Sequence, residues 1–275
     1  MKKNMLFACL GTVLLMAVSC QSDADEPQTT EQSILESQIA SLGFVTEAMY
    51  EAELDGKKGV VVEGDIFLDK AMISDLLKEQ QPSDDLEKHY VTPSLLPRDR
   101  AVTVDVFLDP SFSSTMRAAF NEALNRYNEL NINLTFRSVS SEAASDIAIL
   151  LRDIPNTPQG NVVLGRSAGF PRNGRPATPI TLNSKVFGSR TPADAPTVIA
   201  HEIGHAIGFR HTDLFDRSFS CGGEPVNEQD FSNPGALFVP GTPRGPENGS
   251  WMLACSDGSD RPFTAADRTA LRFVY

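Results

Sequence analysis

Three histidines and one glutamate stand close together in one short segment of the chain. His201, His205 and His211 are three of the four histidines among 275 residues, and Glu202 follows the first of them. If the segment up to Gly208 is helical, His201 and His205 lie one turn apart on the same face, where both imidazoles reach one ion. Gly208 offers the positive φ that ends a helix and lets the chain bring His211 back. The spacing predicts a metal site with three histidine ligands.

Such a site favours one zinc ion and hydrolytic chemistry. Three neutral nitrogens leave the full charge on Zn²⁺ and keep its fourth position open for water. Glu202 lies about 100° round the helix from His201, so it contacts that water rather than the metal. The predicted reaction is therefore hydrolysis with Glu202 as general base.

The helix that carries the motif must pack one face and present the other to the metal. Asp194 is the expected N-cap, and Pro196 lies in the first turn, where a missing N–H costs little. The apolar positions opposite the histidines repeat at helical spacing: Ile199, Ile203, Ala206 and Ile207.

Five strands and two further helices are predicted around this helix. The strands are expected at residues 102–108, 132–136, 146–151, 161–170 and 179–182. One helix follows Ser113 or Ser114, and a last helix opens at the capping box of Thr264 and Asp267. Because strands and helices are unequally mixed, the predicted fold class is α+β rather than a doubly wound sheet.

The chain is predicted to contain a catalytic domain, residues 98–275, behind a smaller region, residues 31–97. The smaller region is expected to have a helix near 32–41, one strand over 59–68 and a helix near 70–79. A linker with three prolines is expected over residues 80–98, at the boundary between the two.

Residues 31–97 have three possible roles, which the sequence does not distinguish: a propeptide, an adaptor or a permanent wall of the domain. The region has no cysteine that could block a metal. A carboxylate such as Glu63 or Asp65 could block it instead, although a pair of acids at a strand end is the simpler interpretation.

Residues 1–19 have the pattern of a secretory signal, with a basic start and an apolar run too short to span a membrane comfortably. The end of this run, residues 17–20, resembles the lipobox of bacterial lipoproteins, which implies lipidation of Cys20. An ordinary secretory signal is the alternative. Residues 20–30 are similar to the acidic tether of some Bacteroidota surface lipoproteins, or form a plain solvated linker. The expected location is the outer membrane of a Gram-negative, Bacteroidota-like bacterium, contacted through Cys20.

The net charge restricts the kind of partner, and the cysteines indicate the redox state of the compartment. The net charge is −12, and it becomes −14 when residues 1–19 are removed, because they hold two lysines and no acid. This balance argues against a nucleic-acid partner, and a monomer is expected.

In an oxidising exterior Cys221 and Cys255 are expected to form one disulfide. Metal ligation by the pair is the alternative, but no second pair or nearby histidine supports it.

The element order and the extended histidine motif together resemble the metzincin metallopeptidases. The literal His-Glu-Ile-Gly-His string, Val239–Pro243 and Val62–Ile66 are similar to the matrixin-like, bacterial dual-action HEIGH metallopeptidases. The resemblance implies a zincin-like domain with a mixed five-stranded sheet, a backing helix, an active-site helix and a C-terminal helix. It also implies a zinc-dependent endopeptidase that acts on peptide or protein substrates.

The same resemblance implies residues that bind substrate. The fourth strand of the sheet would be the antiparallel edge beside the active-site cleft, where a peptide adds by main-chain hydrogen bonds. The residues that it places there are Leu164, Gly165, Ser167 and Ala168.

Two further residues near the metal follow from the family pattern. Met252 would pack beneath the three imidazoles, and an ordinary core methionine is the alternative. Asp213 lies two residues past His211, and some metzincins use an aspartate as third ligand, but the spacing favours His211 and leaves Asp213 as a loop residue or as a partner of a ligand. A catalytically silent surface binding or adhesion lipoprotein is the alternative function, against which the intact ligands and Glu202 argue.

Overall fold

The computed structural model describes residues 31–79, 89–228, 235–243 and 245–275. The predicted signal segment, the lipidation site Cys20 and the predicted tether all lie outside the described residues. No helix within the described ranges is both long and apolar enough to cross a membrane.

Ten strands and seven helices form within these ranges. The strands are β1 (Tyr50–Leu54), β2 (Lys57–Val62), β3 (Ile66–Asp69), β4 (Tyr90–Val91), β5 (Val102–Leu108), β6 (Leu134–Val139), β7 (Ile147–Arg152), β8 (Gly165–Ser167), β9 (Ile180–Asn183) and β10 (Leu237–Phe238). The helices are α1 (Glu31–Ser41), α2 (Lys70–Glu79), α3 (Ser114–Asn128), α4 (Ser184–Phe187), α5 (Ala195–Ala206), α6 (Ser218–Cys221) and α7 (Ala265–Val274).

The main sheet has eight strands in the order β1-β2-β3-β8-β9-β7-β5-β6. Strands β9, β7, β5 and β6 run parallel, and β8 is antiparallel to β9. The α+β class is confirmed, but the prediction of a five-stranded sheet is wrong. The sheet is larger because β3 pairs with β8, so the three N-terminal strands continue it.

The main core lies between this sheet and the helices α3, α5 and α7. The motif helix α5 is anchored to α3, since the Tyr127 hydroxyl donates to the Ala200 carbonyl at 2.7 Å. The four apolar residues predicted for its packed face are fully buried: Ile199, Ile203, Ala206 and Ile207. Asp194 stands at the N-cap position without a side-chain capping bond; its carboxylate accepts from Ser256 Oγ at 2.5 Å.

Two predictions for the N-terminal region need correction. The single strand predicted over 59–68 is broken into β2 and β3, because Glu63 has φ 54° and Gly64 has φ 94°, which a strand cannot accommodate. Part of the predicted linker is folded into the core. Tyr90 and Val91 form β4 against β10, and Leu96 is 2 % exposed. These side chains are buried because removing apolar surface from water lowers the free energy of the folded chain.

Candidate metal centre

The imidazoles of His201 and His205 are held with their Nε2 atoms facing each other. Nδ1 of His201 donates to the Trp251 carbonyl and Nδ1 of His205 donates to the Phe209 carbonyl, each at 2.8 Å. Because a carbonyl only accepts, both protons are on Nδ1 and both Nε2 atoms carry lone pairs. These two atoms are 3.0 Å apart. Two lone pairs so close repel each other unless a cation lies between them, and the donor set therefore fits zinc.

His211 completes the group through the reversal of the chain after α5. Gly208 has φ 110°, and a Cβ there would lie 2.6 Å from Leu95, so this turn requires glycine. Nδ1 of His211 lies 2.9 Å from the Glu228 carboxylate, which orients the ring as a carboxylate partner of a metal-binding histidine does. All three imidazoles are buried and offer ligand atoms within 4.8 Å of one another. The structure thus brings the three predicted ligands to one point.

A fourth potential ligand at this point comes from the N-terminal region. Asp65 Oδ2 lies 3.2 Å from His211 Nε2 and 3.4 Å from His201 Nε2, and Oδ1 lies 3.6 Å from His205 Nε2. Burial would raise the pKa of Asp65, but positive charge on the imidazole group, chiefly on His211, outweighs it and holds the pKa well below its usual value. At this point the described residues that could hold one ion are therefore three histidines and one aspartate.

Asp65 belongs to a segment, residues 57–69, that we call the N-terminal arm; it comprises β2, the turn at Glu63–Asp65, and β3. The Asp65 carbonyl accepts from Ser167 N of β8 at 3.0 Å. The Glu63 carbonyl accepts from Arg217 at 2.8 Å, and the Glu63 carboxylate forms an ion pair with Arg210. The turn of the arm is thus attached to the metal centre mainly by charged and main-chain contacts.

Glu228 and Arg217 lie at the centre without having been predicted from the sequence. Glu228 Oε1 accepts from Arg217 Nη1 at 2.6 Å, while its other oxygen faces His211. The two residues lie eleven positions apart in an irregular segment, so no periodicity marks them. For the turn of the arm a signal was available, because Gly64 stands between two acids inside an apolar run.

Glu202 lies beside the histidines with a carboxylate that is not engaged elsewhere. The side chain is 2 % exposed, and Oε2 is buried without a hydrogen-bond partner among the described residues. Burial, with the neighbouring Asp65 charge, raises the pKa of Glu202 well above its usual value. A Cβ on Gly165 would lie 2.4 Å from Glu202 Oε1, so the carboxylate sits directly against the backbone of β8. A proton acceptor is therefore held between the metal ligands and this strand.

A sequence model of the dual-action HEIGH metallo-peptidase matches residues 60–275, most of the chain and all of the metal centre. The chain belongs to the dual-action HEIGH metallopeptidase family. No curated protein matches the chain significantly. Among solved structures it is similar to high choriolytic enzyme 1, a hatching enzyme zinc-protease from Oryzias latipes (medaka fish). The identity is 16%, the alignment covers 65% of this chain and 91% of that chain, and the TM-score is 0.39.

Family membership confirms the resemblance found in the sequence. The chain is a zinc metallopeptidase, it acts on peptide or protein substrates, and its group of three histidines and one aspartate could hold the single metal ion. The matched range begins inside β2, so most of the arm, including Asp65, lies within the family region.

The metallopeptidase packs Met252 against the glycine of its His-Glu-Ile-Gly-His string. Met252 is fully buried, and a Cβ on Gly204 would lie 2.5 Å from its sulfur. The Met252 carbonyl also accepts from Thr212 N at 2.9 Å, next to the third histidine. The structure therefore places Met252 against the histidine helix and within the main core.

Asp213 and the two cysteines tie together the loops around the metallopeptidase site. The Asp213 carboxylate accepts from Ala254 N at 3.0 Å and from Ser220 Oγ at 2.6 Å, and it is not among the described residues that could hold a metal. Cys221 and Cys255 form a disulfide with a Cα separation of 5.1 Å. Their ligation of a metal is thereby excluded in this form of the protein.

The strand β8, on which the resemblance places substrate, is covered at one end. Gly165 and Ser167 pair with β9 as antiparallel neighbours, and Ala168 continues this contact through Pro179. The Ser167 end also pairs with Ile66 of the arm, so this end is not an open edge in the structure. The other end, with Leu164 and Gly165, lines a cavity of about 340 Å³ beside the metal centre.

Proposed function

We propose that this metallopeptidase is an endopeptidase with Glu202 as its general base. The observation that carries the proposal is the buried Glu202 carboxylate between the histidine helix and β8, whose Oε2 has no hydrogen-bond partner among the described residues. A peptide that adds to β8 by main-chain hydrogen bonds passes this carboxylate in extended form. Binding along a strand requires no free chain end, which supports cleavage within a chain.

The residues divide the chemistry among them. His201, His205 and His211 would hold a zinc ion that acts as a Lewis acid and makes water nucleophilic near neutral pH. Glu202 accepts the proton of the attacking water at Oε2 and returns it to the departing amide nitrogen. Burial, the largest cause of its raised pKa, makes Glu202 a stronger base than a solvent-exposed carboxylate.

The test compares Glu202→Ala with Glu129→Ala, which removes an exposed glutamate at the end of α3. We expect Glu202→Ala to lose about 10²–10⁴-fold in kcat/KM on a peptide library while binding zinc as wild type does. Glu129→Ala should keep the wild-type kcat/KM and the wild-type zinc binding. Full activity of Glu202→Ala would overturn the mechanism. Zinc binding without cleavage by any form would instead favour the silent binding or adhesion module.

We further propose that residues 31–79 act as an inhibitory propeptide through the N-terminal arm. The Asp65 carboxylate lies within 3.6 Å of all three imidazole Nε2 atoms, so it occupies the position that substrate and water need. The arm also pairs with β8 at Ser167, which blocks peptide addition there. Of the two acids considered in the sequence, Asp65 supplies the block, and Glu63 fastens the turn through Arg210.

The inhibitory role is tested by Asp65→Ala, with Glu53→Ala as the control that removes an exposed acid from the same region. We expect Asp65→Ala to raise the activity of the chain from residue 21, and Glu53→Ala to leave it unchanged. A second test introduces a protease site into residues 80–88. A cut there leaves the core strand β4 in place, whereas a start at residue 98 would remove it. Unchanged activity after both treatments would contradict inhibition.

We also propose, from the sequence pattern of residues 17–20 alone, that Cys20 is lipidated and anchors the enzyme in an outer membrane. Incorporation of labelled fatty acid and partition into detergent should both be lost in Cys20→Ala. If Cys20→Ala still partitions into detergent, another anchor must exist.

A further inference from the structure

The cavity beside the metal centre has a charged wall that the proposed mechanism does not use. Its lining includes His201 and Glu202, then Thr197 on the first turn of α5, and Arg261 from the chain just before α7. A substrate side chain next to the cleaved bond would enter this cavity, because the catalytic carboxylate and a metal ligand form part of its wall. Arg261 would then meet that side chain.

Arg261 is a buried cation without a close counter-charge. It is 6 % exposed, and its Nε is buried with no hydrogen-bond partner among the described residues. Within the described ranges its Nη2 donates to the Cys255 carbonyl alone, at 3.2 Å. Burial lowers the pKa of Arg261, which reflects the cost of keeping this charge away from water.

The acidic residue next to Arg261 in the chain, Asp260, forms its salt bridge with a different arginine. Asp260 accepts from Arg126 Nη2 at 2.7 Å with one oxygen and from Thr197 Oγ1 at 2.8 Å with the other. Arg126 has a second partner in Glu122, at 3.1 Å. The neighbouring arginine is thus paired twice, whereas Arg261 has no carboxylate within 4.0 Å in the part of the chain that the structure describes.

The more distant acids around Arg261 also have other donors. Asp194 accepts from Ser256, Asp213 from Ser220, Asp257 from Ser259, and Asp267 from Ser250. They raise the pKa of Arg261 through space, but none forms a salt bridge with it. A ligand carboxylate is therefore the group that would satisfy the guanidinium, which presents a planar fork to such an acceptor.

We propose that Arg261 makes this enzyme select substrates with an aspartate or glutamate side chain beside the scissile bond. The inference rests on the proposed endopeptidase function and specifies its substrate class. An apolar side chain would leave the charge buried and unpaired, and a basic one would be repelled. A charge-assisted hydrogen bond of this kind should be worth about 10–100-fold in kcat/KM.

The test uses matched peptides with Asp or Asn, and Glu or Gln, at each position flanking the bond that a peptide library identifies. Wild-type chain and its Asp65→Ala form are both assayed, so that inhibition by the arm does not hide the preference. We expect the acidic member of a pair to be cleaved about 10–100-fold better. The preference should disappear in Arg261→Met and persist in Arg261→Lys. It should be unchanged in Arg268→Met, which removes an exposed arginine of α7.

A binding measurement separates this inference from the proposed function. Calorimetry of the same peptides with zinc-loaded Glu202→Ala protein reports selection without cleavage. Tighter binding of acidic peptides, lost in Glu202→Ala with Arg261→Met, supports the inference even if no form cleaves peptides. Equal cleavage of acidic and amide peptides by the Asp65→Ala form, with equal binding by zinc-loaded Glu202→Ala protein that also carries Asp65→Ala, would overturn it. Since that comparison needs no Arg261 variant, it holds even if Arg261→Met fails to fold.

Discussion

The histidine segment, residues 195–212, and the N-terminal arm, residues 57–69, meet at the same metal centre but are held by different forces. Every residue of α5 except Pro196 is buried, and close contacts such as Gly204 against Met252 fix its position. The turn of the arm reaches the centre through the Asp65 carboxylate, the ion pair of Glu63 and one strand contact at Ser167. Its apolar side chains pack mainly in a separate cluster with α1 and α2.

The difference indicates which region could move without loss of the fold. Removal of α5 would open the main core, and buried apolar contacts dominate the free energy of folding. Release of the turn of the arm would break a few polar contacts and expose little of that core. A rigid metal site and a separable inhibitory segment can therefore coexist in one chain.

The largest expected effect comes from removing the ion at which the two regions meet. In His205→Ala we expect cleavage to fall to background and zinc to be lost from the purified protein. The free energy of unfolding should fall by about 3 kcal/mol where zinc was present at 100 times its dissociation constant. Hydrogen exchange should rise more in the arm than in α5, because the Asp65 carboxylate loses its attraction to the positive charge of the zinc ion.

Glu202→Ala is the matched control for that experiment. It alters the neighbouring residue of the same helix but should keep zinc and keep the arm protected. Equal loss of protection in both variants would show that the arm does not depend on the metal.

The same comparison explains what the sequence could predict. The approach of His201, His205 and His211 to one point follows from helical spacing and one glycine turn. The capping box of Thr264 and Asp267 follows from a local pattern, and the structure confirms it. The β3–β8 contact and the Glu228 partner of His211 join residues far apart in the chain, so no local pattern encodes them. For this reason the grouping of the histidines could be predicted from the sequence and the full extent of the sheet could not.

A smaller effect is expected from Gly204→Ala in the histidine segment. The added Cβ would lie 2.5 Å from Met252 Sδ and 3.1 Å from Trp251 Nε1. Overpacking of this kind costs about 1–3 kcal/mol, which outweighs the gain of about 1 kcal/mol in helix propensity. Denaturant unfolding should show the whole domain destabilised with zinc still bound.

The matched variant for Gly204→Ala is its combination with Met252→Ala. If the steric account is correct, Gly204→Ala costs less once the methionine is shortened, and a double-mutant cycle measures that coupling. Additive losses would mean that Met252 is not what requires the glycine.

Gly64→Ala in the arm is expected to cause the smallest change in stability. It should also increase the peptidase activity. Gly64 has φ 94°, and a Cβ there would lie 2.8 Å from Arg217 Nη2. Arg217 must then move away from the Glu63 carbonyl and from Glu228, which weakens the attachment of the turn. Gly56→Ala is the matched control, because it has φ 76° with nothing within 4 Å. Both variants should lose about 1 kcal/mol to backbone strain, and only Gly64→Ala should gain peptidase activity. Equal activity of the two variants would mean that the contact between Arg217 and the arm does not control access to the metal centre.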